Sequence, residues 1–255
     1  MPKPLINCWW CCGNIGNFGD VLTPVILREL GYDVKFVGRK AKNKFMGAGS
    51  IANGSKSGDV VWGSGIIKRC NKPRVKGVNY LAVRGPITGE KVGCSVYGDP
   101  GLLCSKLWPK KTTGKNKLGV ITHYADYNKH DTGDVEQINT LAQDPLTIID
   151  KLVTCDRVVS SSLHGIIVAH SYGIPAGWWR PSRRLNGFLS PFPHDAKFKD
   201  YALSVGIDLT PNHDHAMVDC VLPDMNKVFE IQDTLIGVLH DYMKGSTSRG
   251  GTHQN

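Results

Sequence analysis

The chain has 255 residues, enough for one large α/β domain or two small ones, and its 41% hydrophobic and 21% charged content is that of an ordinary globular protein. No apolar run approaches the roughly 20 residues that span a bilayer, and the start, MPKPLINCWWCCGN, is too short in apolar length for a secretory signal. The net charge of +9 is uneven, since residues 38–117 hold 17 Lys and Arg against only Asp59, Glu90 and Asp99, a balance that suits an anionic partner.

The first apolar segment, PLINCWW (4–10), reads as a strand, followed by the glycine-rich loop CCGNIGNFGD. DVLTPVILREL (20–30) has helical spacing, although Thr23-Pro24 offers an alternative start, because proline fits a first turn. DVKFV (33–37), DVVWG (59–63) and VNYLAV (78–83) are buried-strand candidates. The lysine-rich PKKTTGKNK (109–117) is the best linker, and KLGVITHY (117–124) opens a second series. There DPLTIIDKLVTC (144–155) reads as helix, CDRVVS (155–160) as strand, LHGIIVAHSY (163–172) as helix and IPAGWW (174–179) as strand. AKFKDYALSVG (196–206) and MNKVFEIQDTLIGVLHDYM (225–243) are late helices, and only 245–255 has the composition of a disordered tail. The alternation predicts parallel sheets with crossover helices, in two Rossmann-like domains facing across a cleft. The expected boundaries are 1–112, 113–222 and a C-terminal helix over 223–244.

Eight cysteines without a signal read as reduced thiols. Cys8, Cys11 and Cys12 form a CxxCC cluster, but a tetrahedral metal site wants a second pair and the other cysteines are scattered singly. No metal is expected.

In doubly wound sheets, ligands sit where strands run into helices. Four segments fall there. GNIGNFGD (13–20), with Asn17, Gly19 and Asp20, offers backbone amides to an anion, or is simply a flexible turn. SSSLHG (160–165) sets Ser161 and Ser162 at a helix start with His164 in its first turn, for capping or for a phosphate. VRGPIT (83–88) presents Arg84, a planar fork for carboxylate or phosphate, or one paired with an acid. THYAD (122–126) places His123 and Asp126 after a strand. Gly47-Ala48-Gly49-Ser50 begins a string that matches the dinucleotide fingerprint in letters, but a poor helix follows and no acid lies about 20 residues on. The adjacent Trp178 and Trp179 must point to opposite sides of a strand, one into the core and one free to stack on a sugar.

NIGNFGD, VVWGSGI, VRGPIT, YGDPGLL, LGVITHYAD, SSSLHGIIVAHSYGIPA and FKDYALSVG, in this order, resemble the polysaccharide pyruvyl transferase family, from about residue 7 to 206. Among its members the chain is most similar to the short exopolysaccharide ketal-pyruvate transferases. The resemblance implies a GT-B-like fold with no cofactor, phosphoenolpyruvate as donor, and a free or lipid-linked saccharide acceptor. It carries the family's motif arginine onto Arg84 and its motif histidine onto His164. Where many members have arginine two residues before that histidine, this chain has Ser162, and Arg180, Arg183 or Arg184 would have to supply the charge. His164 is then expected as proton donor or anion ligand, with His123 as rival, and Asp20 or Asp126 as base. Arg84 is expected to hold the donor while contributing little to stability. The alternatives are a nucleotide-sugar glycosyltransferase and a non-catalytic saccharide- or phosphate-binding protein. Nucleic acid is not an expected partner, since no binding motif accompanies the charge. The expected location is the cytoplasm, either free or peripheral to the inner membrane face.

Overall fold

The computed structural model describes residues 3–11, 17–66, 75–123, 132–133, 135–141, 144–181, 184–185, 188–189 and 195–249. Two parallel sheets carry the fold. The first has five strands, β1 (Leu5–Cys8), β2 (Asp33–Phe36), β3 (Phe45–Met46), β4 (Val60–Trp62) and β5 (Asn79–Ala82), in the order β2-β1-β3-β4-β5. The second has β6 (Gly119–Thr122), β7 (Glu136–Asn139), β8 (Val158–Ser160) and β9 (Ala176–Trp178), in the order β7-β6-β8-β9. A short antiparallel pair, β10 (Arg184–Leu185) and β11 (Phe188–Leu189), forms a separate ribbon.

The helices are α1 (Phe18–Glu29), α2 (Pro86–Val92), α3 (Cys104–Leu107), α4 (Leu146–Leu152), α5 (Leu163–Ser171), α6 (Asp195–Val205) and α7 (Met225–Arg249). α1 begins at Phe18 rather than at Pro24, because its first turn is tied elsewhere: the Phe18 amide donates to the Thr140 carbonyl beyond β7 at 2.9 Å. Phe18, Leu22, Ile26 and Leu27 are buried, the i, i+4 spacing of an apolar face. Pro24 lies inside the helix and lacks the amide that would bond the Asp20 carbonyl.

One hydrophobic core runs through both sheets, from Ile6, Cys8 and Trp62 to Ile121, Val158 and Trp178. α6 lies in the segment expected to belong to the second unit, yet it packs on α2 as well as on the second sheet. Its Phe198 stacks on Trp178 with centroids 4.2 Å apart, and its Tyr201 hydroxyl meets His170 Nδ1 of α5 at 2.9 Å. α7 likewise returns to the first sheet, packing on β5 and accepting at its Leu235 carbonyl a bond from the Trp62 indole of β4 at 2.9 Å. It continues through Gly245 to Arg249, further than composition implied.

Both tryptophans at the end of β9 are buried: Trp178 lies under Phe198, and Trp179, just beyond the strand, sits in a small cluster with Val120, Val159 and Val218. Neither is open to a sugar ring, which corrects the stacking expectation. Among the described residues, no helix is long and apolar enough to cross a membrane.

Candidate active site

The carboxyl ends of both sheets meet at the N-terminus of α1, where Asn17 forms an isolated bridge with Leu141. Asn17, Gly19, Asp20, Arg84, His123, Ser161, Ser162 and His164 lie around this junction, after β1, β5, β6 and β8.

His164 sits in the first turn of α5, with its side chain 11% exposed. A Cβ added at Gly19 would overlap the His164 imidazole at Nδ1, so only glycine there lets α1 approach the ring. On the other side, Nε2 lies 3.8 Å from the Asp99 carboxylate. Both Nε2 and Asp99 Oδ2 are buried without a hydrogen-bond partner, while Asp99 Oδ1 accepts the Gly101 amide at 2.9 Å. Burial, reinforced by the positive charges of Arg84, Lys197 and His123, pushes the His164 pKa down to about 3. The imidazole is therefore neutral at pH 7 in the unliganded protein.

Asp20 responds in the opposite sense. Burial raises its carboxyl to about 6, against the pull of the Asn17 amide, which donates at 2.8 Å, and of Lys197. Asp99 is also raised by burial to about 6, against its bond from Gly101 and the charge of Arg84. Two carboxyls that titrate near neutrality thus flank a histidine that does not.

Arg84 is entirely buried. Its guanidinium donates to Ser50 Oγ at 2.8 Å and the Ile66 carbonyl at 2.7 Å, and pairs with Asp200 of α6 at 3.2 Å. Burial lowers its pKa, opposed by Asp200 and Asp99. Nε alone has no partner. Asp200 also accepts from the Thr88 amide at 3.0 Å and the Thr88 hydroxyl at 2.6 Å. The fork is thus largely occupied by the fold, which corrects the expectation that Arg84 contributes little to stability.

Ser161 accepts a bond from the His123 amide at 2.8 Å and ties β6 to β8. Ser162 is the N-cap of α5 but makes no side-chain capping bond, which leaves its hydroxyl uncommitted to the helix. Ser160 is structural: its hydroxyl bonds the Ile121 and Ser162 carbonyls and accepts the Ser162 amide. Arg180 is not among the charges that bear on His164; its guanidinium reaches Asp195 at 3.5 Å. Asp126, Arg183, Cys12 and the loop from Cys12 to Gly16 lie outside the described residues, as does the side chain of Arg184.

The sequence reading missed Asp99, Lys197 and Asp200, although Asp99 lies in YGDPGLL and the other two in FKDYALSVG. It also set aside Gly47-Ala48-Gly49-Ser50, which lines the site. Gly47 packs on Thr23, Gly49 at φ +110° faces Asp20, and Ser50 receives Arg84. The absence of a following helix, which excluded a dinucleotide, does not exclude contact with another ligand.

Cys8 is buried, with its thiol pushed up to about 12 by desolvation, and Cys11 is exposed. Among the described residues, no three His, Cys, Asp or Glu side chains are grouped so as to hold a metal ion.

Cations, a helix start and a glycine-lined approach thus gather beside two raised carboxyls between two parallel sheets. The family model for polysaccharide pyruvyl transferase matches residues 17–178, which begins at Asn17 and takes in Arg84, Asp99 and His164. The chain belongs to the polysaccharide pyruvyl transferase family. It is also 31% identical over 183 residues to an uncharacterized protein of Acanthamoeba polyphaga mimivirus. That alignment covers 64% of this chain and 61% of the viral protein. No solved structure matches the chain.

Proposed function

We propose that this chain transfers a pyruvyl group from phosphoenolpyruvate to two hydroxyls of a cell-surface saccharide, free or lipid-linked, and closes a pyruvate ketal. The observation that carries this reading is the set of charges at His164. Arg84 and Lys197 both bear on one buried imidazole, and that concentration of positive charge supports a compact anion with a carboxylate and a phosphate as the ligand. The two parallel sheets would then form facing Rossmann-like units of the GT-B kind, with boundaries near 112 and 222.

The donor changes the field at His164. Its negative charge offsets Arg84 and Lys197, so the imidazole takes a proton from solvent and sits between Asp99 and the donor. In this reading His164 gives that proton to the methylene carbon, leaving an oxocarbenium centre at the carbon bearing phosphate. A sugar hydroxyl attacks this carbon and its proton passes to Asp20, whose raised pKa suits a base near neutrality. The carbon–oxygen bond to phosphate breaks, phosphate leaves with the proton held by Asp20, and the second hydroxyl closes the ring. Its proton returns to His164, and the imidazolium gives back to solvent, as the products leave, the proton it took up with the donor. Arg84 holds one anionic group of the donor through its remaining nitrogen, Nε, and Ser161, Ser162, Asn17 and Gly19 line the approach.

The test is thermal stabilisation of the purified chain by phosphoenolpyruvate, set against nucleotide sugars. A rise in melting temperature with phosphoenolpyruvate, followed by release of inorganic phosphate when a saccharide is added, is expected. Stabilisation by a nucleotide sugar with no response to phosphoenolpyruvate would remove the reading.

A further inference from the structure

The rim of the first sheet carries an exposed basic and aromatic patch that the chemistry above does not use. β2 is an edge strand, and residues 37–44 connect it to β3 without a helix. Among residues 30–43, the charged side chains on this rim are Lys35, Arg39, Lys40 and Lys42 against Asp33, all exposed. Phe36 is 44% exposed and meets the half-buried Trp10 edge-on, with centroids 4.7 Å apart. Arg39 lies 6.0 Å over the ring of Trp9.

We infer that this rim docks the protein on an anionic lipid surface. Four cations against one acid complement a negatively charged leaflet, which attracts each exposed Lys or Arg within a Debye length. An aromatic pair with an exposed apolar edge, flanked by cations, matches the amphipathic zone of lipid headgroups, where rings sit between water and acyl chains. Placement gives the patch a purpose. It lies at the carboxyl end of the first sheet, and from Trp10 the chain runs through residues 11–16 to Asn17 at the candidate site. A chain resting on this rim holds its site close to the bilayer surface, where a saccharide on a lipid carrier would be presented. That purpose rests on the pyruvyl-transfer reading; the docking itself does not.

The test is co-sedimentation of the full chain with vesicles of phosphatidylcholine alone or with about a third phosphatidylglycerol, at low and high salt. Binding to the anionic vesicles should be at least about tenfold stronger, and should be lost when salt shortens the screening length to about 3 Å. Arg39→Glu combined with Lys40→Glu and Lys42→Glu should abolish binding, and Phe36→Ser should weaken it by roughly three- to tenfold, in line with the loss of one anchoring side chain. Phosphate release with a water-soluble saccharide acceptor should be unchanged in both variants, because none of these residues lies in the site. Equal partition onto neutral vesicles, or full binding by the triple variant, would overturn the inference. So would a wild-type dimer that the triple variant breaks in analytical ultracentrifugation, or displacement of the protein from vesicles by stoichiometric duplex RNA. Vesicle binding is read without turnover, so its failure is separate from any failure of the pyruvyl-transfer reading.

Discussion

Replacing Arg84 by lysine keeps the charge and removes the fork, and the structure sets the size of the effect. The guanidinium serves Ser50, the Ile66 carbonyl and Asp200 at once, with no solvent to substitute for any of them. An ammonium can hold Asp200 and leaves two acceptors short. Each bond to a charged donor contributes about 1.5–3 kcal/mol, so the loss is about 3–6 kcal/mol. That brackets the cost of about 3–5 kcal/mol for breaking a buried ion pair by removing one partner. At about 2–4 °C per kcal/mol for a chain of this size, the melting temperature should fall by roughly 6–24 °C. Asp200→Asn should give a fall of similar sign, because it leaves Arg84 uncompensated. The double variant should lose less than the sum of the two, since each single change already breaks the same pair. The assay is thermal melting of all three variants, with phosphoenolpyruvate titration on the folded fraction. An Arg84→Lys melting temperature within about 2 °C of the parent would refute this account, because it would mean the buried contacts carry almost none of the expected energy.

Gly19→Ala should lower turnover by about a hundredfold while the chain stays folded, because the new methyl must displace the His164 imidazole and misplacement by about 1 Å has that effect; unchanged kcat would separate His164 from the chemistry. His164→Asn should preserve folding and cut kcat by roughly 10²–10⁴-fold if the imidazole is the proton donor, or raise KM with kcat kept if it only binds the anion; unchanged kcat and KM would move attention to His123. With Asp20 raised to about 6, kcat/KM should fall below about pH 6 as the base protonates, and a flat profile to about pH 5 would count against Asp20. Asp99 binds its proton more tightly in the fold than in the unfolded chain, so its contribution to stability declines as pH rises from about 4 through about 6. Asp99→Asn should therefore stabilise the protein more at pH 7.5 than at pH 4.5, read by melting temperature against pH, and the reverse ordering would show that its carboxylate is held by partners rather than penalised by burial.

The elements with a strong local signature were legible: β1, α1, β4, β5, β6, α5 and α7 all fall within a residue or a few of their apolar segments. β3 was not, because two residues, Phe45 and Met46, are too short for any period. β7 was missed because Glu136–Asn139 is half polar and shows no apolar run. At the site, Gly19, Asp20, His123, Ser161, Ser162 and His164 could be named because each follows a strand locally. The state of Arg84 could not be, since an arginine after a strand reads as exposed. Its burial depends on Asp200, which also binds Thr88 across 112 residues of sequence. The sign of the His164 shift was hidden for the same reason: burial between elements distant in sequence sets it, and Arg84 and Lys197 from two further elements reinforce it.

The return of α6 onto α2 bears on how the chain is made. During synthesis, everything up to β9 has emerged before Asp200 exists, and until then Arg84 lacks the carboxylate that pairs with its guanidinium at the α2 start. The first sheet also waits for α7 to receive the Trp62 indole. An N-terminal half released early therefore has a core it cannot seal, and long-range closures of this kind are slow to form and leave apolar surface exposed meanwhile. The surroundings of Arg84 are thus among the last to become stable, and the nascent chain does not complete them until nearly all of it has left the ribosome.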